Sequence, residues 1–458
     1  MDTKRGYDKL IKLSEHINVL NTSSTKASVP RNKNILHKET IHMPTPAIIK
    51  MRMDQHKGVP CVPIVKVGDE VKVGQVIANS ELLVSAPIHA SVSGTVVKIE
   101  ELVKDNSEAI TEVTIKSDGK QVLDEGLKPP LIKTVPDFIR VVRDSGLVGL
   151  GGGAFPTHAK LAVEGKIDML LINSAECEPY ITSDARGILE NPYDLLRGIH
   201  AVSQCLGVNE VVIGVGDEFA HVIGFLSNVL KKAGAAFSYV SLKVLPSTYP
   251  QGAERVLVRS CTNRTVPVGK LPSDVGIVVL NVSTIIFLGQ YMRTGVPLIL
   301  RRVTVDGSAI RQPGNVWVPI GTMIKDIIAV CGGYQEEVYL LLQGGPMMGT
   351  AQESDEASIT KRTNAVLAFG KSEMKEHMEI SCIRCARCIE ACPMNLMPVW
   401  LDQNIRLKDV EALKALKLNA CIGCGLCSFG CPSNRRLVQN FRVVKKILYN
   451  SAEGGGAK

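Results

Sequence analysis

Aromatic side chains are scarce: nine Phe, nine Tyr and two Trp in 458 residues. So few rings supply poorly a stacking platform for single-stranded nucleic acid, and no nucleic-acid partner is expected. Long apolar runs are missing too. The longest uncharged stretch, Val275 to Met292, is interrupted by Asn281, Ser283, Thr284, Gly289 and Gln290, whereas a transmembrane helix needs about 20 mostly apolar residues. It is expected to form a buried strand, a loop and the start of a helix. The first 30 residues lack the continuous apolar core of a secretory signal, so a peripheral or soluble protein of the cytoplasm is expected. Charge of one sign is not in great excess, with 53 Lys+Arg against 45 Asp+Glu and a formal +8. An excess of that size is usually a solvated surface. At 45% hydrophobic and 21% charged residues the chain is not disordered. A disulfide framework is not expected either, because the cysteines are odd in number, 13, and cytosolic thiols stay reduced.

The length suggests about three domains. Residues 1–32 read as an N-terminal extension, polar and basic after an amphipathic start at Leu10, Ile11, Leu13 and Ile17. Residues 33–125 carry short alternating runs broken by Gly and Pro, with a pseudo-repeat between 62–80 and 85–100. This predicts a β-rich barrel-sandwich hybrid. The segment is similar to lipoyl and biotinyl carrier domains, but the hairpin tip Ser85-Ala86-Pro87-Ile88-His89-Ala90 has no Lys to modify. A structural copy of that fold is expected rather than a carrier. Residues 130–297 alternate strand-like runs (MLLINSA, VVIGVG, YVSLKVL, VGIVVLNV) with helical ones, as in a parallel sheet covered on both faces. Residues 298–352 read as a small independent β-grasp-like module, with two strand-like runs and a short helix ending at Gly332-Gly333. Residues 370–450 are helical. The fold class is therefore multidomain α/β.

Eight of the cysteines fall between 382 and 431, as Cys382-x2-Cys385-x2-Cys388-x3-Cys392-Pro393 and Cys421-x2-Cys424-x2-Cys427-x3-Cys431-Pro432. Zinc sites take four ligands as two pairs, and buried free thiols need no spacing at all. The doubled pattern is that of bacterial two-cluster ferredoxins. Three closely spaced thiolates wrap one face of a cubane, and the fourth points away to the other cluster. One 4Fe–4S cluster is assigned to Cys382, Cys385, Cys388 and Cys431, the other to Cys421, Cys424, Cys427 and Cys392. The remaining five cysteines are expected in the core, with Cys177 inside the next motif.

The run Gly146 to Lys160 holds glycines at 146, 149, 151, 152 and 153. Such a loop, opening a helix near Pro156-Thr157, exposes amides suited to phosphate, and Lys160 adds a positive charge. Its spacing is not the Rossmann fingerprint, so a plain turn stays open on this signal alone. Asn173-Ser174-Ala175-Glu176-Cys177-Glu178 follows a buried strand, which sets two carboxylates where a ligand edge would lie. Tyr249-Pro250-Gln251-Gly252-Ala253-Glu254 and Asn281-Val282-Ser283-Thr284 come later.

With INSAECEPYITSDAR, TYPQGAERVLV, QGGPMMG and CIRCARCIEACPMNLMP, the chain resembles the C subunit of the Rnf complex, a membrane-associated ferredoxin:NAD oxidoreductase. Over the α/β part it is similar to the NADH-binding flavoprotein subunit of respiratory complex I. The resemblance covers about residues 35–450. It implies a Rossmann-like FMN/NADH-binding domain at 130–297, an SLBB-type β-grasp module and a dicluster ferredoxin domain. The cofactors it implies are FMN, two 4Fe–4S clusters and NAD(H). It implies that Gly149, Gly151, Gly152, Gly153, Phe155 and Lys160 form the nucleotide loop, and that Asn173, Glu176 and Glu178 line flavin and nicotinamide, the two carboxylates being the catalytic candidates. It further implies that Tyr249, Gly252 and Glu254 form a second wall and that Asn281 and Thr284 touch the flavin. Two departures stand out. Leu150 replaces the Arg of the complex I loop, and a basic stretch, Arg31 to Met43, replaces the glycine- and histidine-rich opening of the Rnf protein.

A hydride supplies two electrons and iron–sulfur clusters carry one each, and a flavin converts between them. The expected function is a peripheral electron-transfer subunit on the cytoplasmic membrane face. It would pass electrons between ferredoxin, reached through a partner subunit, and NAD(H), while other Rnf-type membrane subunits translocate ions. The competing readings are a soluble, cobalamin-reductase-like electron carrier feeding another acceptor, and a non-enzymatic scaffold. The basic C-terminal residues Arg435, Arg436, Arg442, Lys445 and Lys446 are expected on a solvated helix face, with docking to an acidic partner or anionic lipid as the alternative.

Overall fold

The computed structural model describes residues 29–103, 109–373 and 378–453. The amphipathic start at Leu10–Ile17 and the glycine-rich end at 454–456 lie outside the described residues. The strands, in chain order, are β1 (Ile41–His42), β2 (Ile48–Arg52), β3 (Val62–Pro63), β4 (Glu70–Val71), β5 (Val76–Asn79), β6 (Ile88–His89), β7 (Gly94–Val103) and β8 (Ala109–Ser117). There follow β9 (Met169–Ser174), β10 (Val211–Gly216), β11 (Val240–Leu245), β12 (Ile277–Asn281), β13 (Leu300–Asp306), β14 (Gly314–Pro319), β15 (Val338–Gln343), β16 (Thr350–Gln352) and β17 (Ala365–Gly370).

β2, β8, β7 and β4 form one antiparallel sheet of the N-terminal barrel, and β3, β5 and β6 the other. The barrel is not a free-swinging arm. Its Ile49, Ile77 and Ile88 share one continuous buried core with Val142, Leu170, Ile213 and Ile285 of the α/β part. The hairpin tip does meet a lysine, from a distant part of the chain: fully buried Lys361 donates to the carbonyls of Pro87 and, at 2.7 Å, Gly146.

The α/β part is a parallel sheet in the order β11-β10-β9-β12. The chain steps outward from β9 to β10 to β11, then returns to place β12 on the other side of β9. The strand order therefore reverses between β9 and β12, and ligands of open α/β sheets bind outside the carboxyl ends at such a point. Buried strand residues read as continuous apolar runs, as two covered faces require. The helix Pro192–Leu206 starts at a proline and stops at left-handed Gly207. It crosses the helix Val282–Thr294 where Gly198 and Gly289 face the other helix, and a Cβ on either would lie 2.0 Å or less from a backbone oxygen. Across 275–292 the expected loop is absent. Asn281 ends β12 and its side chain accepts from the amides of Ser283 and Thr284, so the strand passes straight into the helix.

The third sheet has the order β1-β14-β13-β17-β15-β16. The sheet extends beyond 298–352, since β1 and β17 come from outside that range and complete its hydrogen bonding. β1 pairs with β14 in parallel, which ties the basic stretch Arg31–Met43 into the body of the protein.

The C-terminal part is helical and internally repeated. Its landmarks recur 39 positions later, Cys382 at Cys421 and Cys392 at Cys431. Left-handed backbone falls at matching places, Arg384 and Gly423, Ala386 and Gly425, Asn395 and Asn434. The basic residues here correct an expectation in part. Arg435 is buried and ion-paired to Asp402 and Glu379. Arg442 donates to the carbonyl of Gly423 at 2.9 Å and Lys445 to that of Cys421 at 2.8 Å. Arg435, Arg442 and Lys445 thus brace the cysteine loops, while Arg436, Arg442 and Lys446 are exposed, as a solvated face requires.

Candidate functional site

The glycine loop arches over the reversal point. It is closed at its base, Gly149 N–H donating to Phe155 O at 2.8 Å and Ala154 N–H to Gly149 O at 3.0 Å. Leu150, where an Arg was expected, is buried. Its amide donates to Thr284 Oγ1 at 3.0 Å and its carbonyl accepts from buried Arg301 at 2.8 Å. An arginine thus reaches this loop from β13 instead of from within it. Gly151, Gly152 and Gly153 are exposed, and among the described residues no acceptor takes their amides. A Cβ on Gly152 or Gly153 would meet nothing within 4 Å, and one on Gly151 would press on Asn281 Nδ2 at 3.0 Å. Phe155 is half-exposed beside the loop.

Below the loop, Asn173 and Asn281 are register partners at the ends of β9 and β12. Asn281 Nδ2 donates to Asp184 at 2.6 Å. Asn173 Nδ2 donates to Gly252 O at 2.8 Å, which docks the second wall. The fit is tight, since a Cβ on Gly252 would lie 2.3 Å from Ala175 O. Lys160 and Glu254 form an ion pair with each other, so Lys160 does not stand as a free cation for phosphate.

The two carboxylates turn inward. Glu176 accepts from Ser183 Oγ at 3.1 Å and from the amides of Asp184 at 2.9 Å and Ala185 at 3.3 Å, at the start of the helix Ser183–Glu190. Burial first, and then neighbouring Asp184, push its pKa up. Glu178 accepts from Met347 N–H at 3.1 Å and Tyr249 Oη at 3.2 Å, and burial raises its pKa also. They shape the wall of the crevice more than they line its open edge. Sequence reasoning gave no role here to Lys33 of the basic stretch, to Asp184 at the end of the INSAECEPYITSDAR motif, or to Arg301 and Lys361.

Tyr249 joins the crevice to the cysteine loops. Its buried hydroxyl has one proton, which points to the nearer acceptor, Cys424 O at 2.8 Å, with Glu178 Oε1 the longer contact, and its ring packs with Ala391, Cys424 and Leu426. Cys382, Cys385, Cys388 and Cys431 line one cavity with Ala386, Val399 and Pro432. Burial first, and then Cys424, Cys392, Cys421 and Cys388, oppose ionisation of Cys427. Burial pushes the thiol of Cys392 up to about 11 and of Cys424 up to about 12. Thiolates at those positions need a cationic partner, while loop amides of Arg384, Leu396 and Gly423 each point at a sulfur at 3.4 Å. Both features suit iron–sulfur cores. The unclaimed amides over the crevice and the orphaned, buried Gln251 Nε2 in its second wall suit a polar, phosphate-bearing ligand such as FMN.

Sequence models of four families match: a Nuo51 FMN-binding domain over 142–289, an RnfC barrel sandwich hybrid domain over 26–120, an SLBB domain over 302–351 and a 4Fe-4S dicluster domain over 381–440. Among curated relatives, the C subunit of the proton-translocating ferredoxin:NAD(+) oxidoreductase complex of Clostridium ljungdahlii is 40% identical, covering 91% of each chain. The C subunit of the Na(+)-translocating ferredoxin:NAD(+) oxidoreductase complex of Acetobacterium woodii is 37% identical over 88% of this chain and 91% of its own. The C subunit of the ion-translocating oxidoreductase complex of Rhodobacter capsulatus is 38% identical over 89% and 79%. By that similarity along nearly its whole length, and by a fold that sets a flavin-type crevice against paired cysteine loops, this chain belongs to the RnfC family of ion-translocating ferredoxin:NAD oxidoreductase complexes.

Proposed function

We propose that this protein is the peripheral subunit through which an Rnf-type membrane complex exchanges electrons with NAD(H), and that it works on the cytoplasmic face. Among the described residues no helix is long and apolar enough to cross a membrane, so in this reading the ion path belongs to partner subunits, and ferredoxin is reached through one of them. FMN, when bound, would accept or give a hydride as a two-electron unit, and two 4Fe–4S clusters would take electrons singly. The amides of Gly151, Gly152 and Gly153 would hold the phosphate. Asn173, Asn281 and Thr284 would form the floor, with Phe155 at the rim and Tyr249, Gly252 and Glu254 in the far wall. Glu176 and Glu178 would set the position of the turn facing the ring. Cys382, Cys385, Cys388 and Cys431 would hold one cluster, and Cys421, Cys424, Cys427 and Cys392 the other.

The observation that carries this reading is the contact of Tyr249 with the Cys424 carbonyl. It places the crevice wall directly on one cysteine loop, so that a ligand there and a cluster on the loop are neighbours. The test is cofactor analysis of the anaerobically purified chain. About eight iron atoms and one FMN per chain are expected, with visible absorbance that bleaches on addition of NADH. Four or fewer irons after full reconstitution, or no flavin, would refute the reading.

A further inference from the structure

The basic stretch that opens the described chain does more than fill a gap. Val29 packs against Tyr249, Ala391, Cys424 and Leu426. Arg31 O accepts from Tyr180 N–H at 2.9 Å, and the Arg31 guanidinium donates to Ser247 O and pairs with Asp217. The strap therefore crosses the carboxyl ends of β9, β10 and β11, and leaves the reversal point between β9 and β12 open. At its centre the Lys33 ammonium donates to Glu176 O at 2.7 Å, to Glu178 O at 2.8 Å and to Ile181 O.

An ammonium has three donors and no acceptor, and here every donor is used by one turn. Three backbone carbonyls that converge on a point repel one another and are orphaned if nothing donates to them. The turn that carries Glu176 and Glu178 thus has this geometry because a cation sits at its centre. Three acceptors at hydrogen-bond distance call for three N–H donors, which the ammonium has and the neutral amine lacks. Burial lowers the pKa of Lys33, while Glu176, Cys177, Glu218 and Glu178 pull the other way, and the Phe219 ring lies 5.4 Å from Nζ. Glu218 also carries a buried carboxylate oxygen with no partner among the described residues.

We infer that Lys33 is a positioning residue of the nucleotide crevice: its ammonium gathers the carbonyls of 176, 178 and 181 and so fixes the wall against which flavin is held. The inference rests on the reading of the crevice as a flavin site. It predicts that a segment outside every recognisable nucleotide motif completes the site, and that what matters is an N–H-bearing cation at one point.

The test uses the full-length, cluster-loaded chain stripped of FMN and titrated with FMN by fluorescence quenching. Lys33→Ala is expected to weaken binding at least tenfold. Added ethylammonium, small enough for the vacated space and able to donate, should bring affinity back to within threefold of the parent. Tetramethylammonium, which has no N–H, should not. Arg31→Ala, which loosens the strap but keeps the ammonium, should bind FMN within threefold of the parent. Parent-like binding by Lys33→Ala, a loss that ethylammonium does not restore, equal rescue by both cations, or an equal loss in Arg31→Ala would each overturn the inference. Failure of the parent chain itself to bind FMN would instead sink the flavin reading of the crevice.

Discussion

Tyr249→Phe separates the contact between crevice and cysteine loop from everything around it. The substitution keeps the ring, so the packing of Ala391, Cys424 and Leu426 survives and no cavity opens. Only the hydroxyl goes, with its bonds to Cys424 O at 2.8 Å and Glu178 Oε1 at 3.2 Å. A lost hydrogen bond costs about 0.5–1.5 kcal/mol net, and leaving a buried acceptor unsatisfied costs about 1–3 kcal/mol. Water can reach the partly exposed Glu178 more readily than the buried Cys424 loop, so the loss is placed at about 1–3 kcal/mol, felt at the interface. Because each 1.4 kcal/mol is tenfold in an equilibrium constant, opening of the interface should rise roughly 5- to 150-fold. Hydrogen exchange followed by mass spectrometry reads this directly. Peptides covering 421–431 and 345–349 should exchange faster by that factor, while the barrel strands β7 and β8 should not change. If 421–431 keeps its protection, or the barrel loses protection equally, the crevice and the cysteine loop are not joined through this hydroxyl.

Crossed ligation can be tested with single cysteines. Cys392→Ser should remove the cluster of Cys421, Cys424 and Cys427 and leave that of Cys382, Cys385 and Cys388, while Cys431→Ser should do the reverse. Paramagnetic resonance of the reduced variants distinguishes the two, and loss of the sequence-adjacent cluster in either variant would refute the crossing. Acid should weaken the junction of barrel, glycine loop and Lys361. Burial holds His56 down to about 4 and His89 down to about 3, so both rings stay neutral in the folded chain while the unfolded chain takes up protons below about pH 6.5. The unfolded state binds more protons in that window. Stability is therefore full above it and falls as pH drops from 6.5 towards 4 and 3, by up to about 1.4 kcal/mol per unit for each ring. His89→Gln should flatten the lower part of the profile in thermal unfolding, and an unchanged slope would show that another group titrates.

The legible parts were those whose chemistry is local. Spacing alone announced the cysteine loops, because three thiolates on one cubane face need three closely spaced positions. Asn281 was legible as a motif member but its local duty was not. It was expected in a strand that a loop would follow, whereas it caps the helix outright, since a strand ending at the reversal point must turn at once to cover the sheet. Lys160 and Glu254 were each assigned to the crevice, yet nothing in either motif says that they neutralise one another. In the C-terminal basic run only Arg435 was misread, because charge in sequence does not reveal that Asp402 waits for it.

What the chain wrote for itself is periodicity and spacing: four successive architectures, a glycine-rich loop and eight thiols in two runs, each set by residues within reach of one another along the backbone. What only tertiary folding decided is which distant groups complete those motifs. Lys33, Arg301 and Lys361 arrive from segments with no signature of their own, because a buried carbonyl accepts from whatever donor the packed chain brings near it. Sequence order carries no record of that proximity.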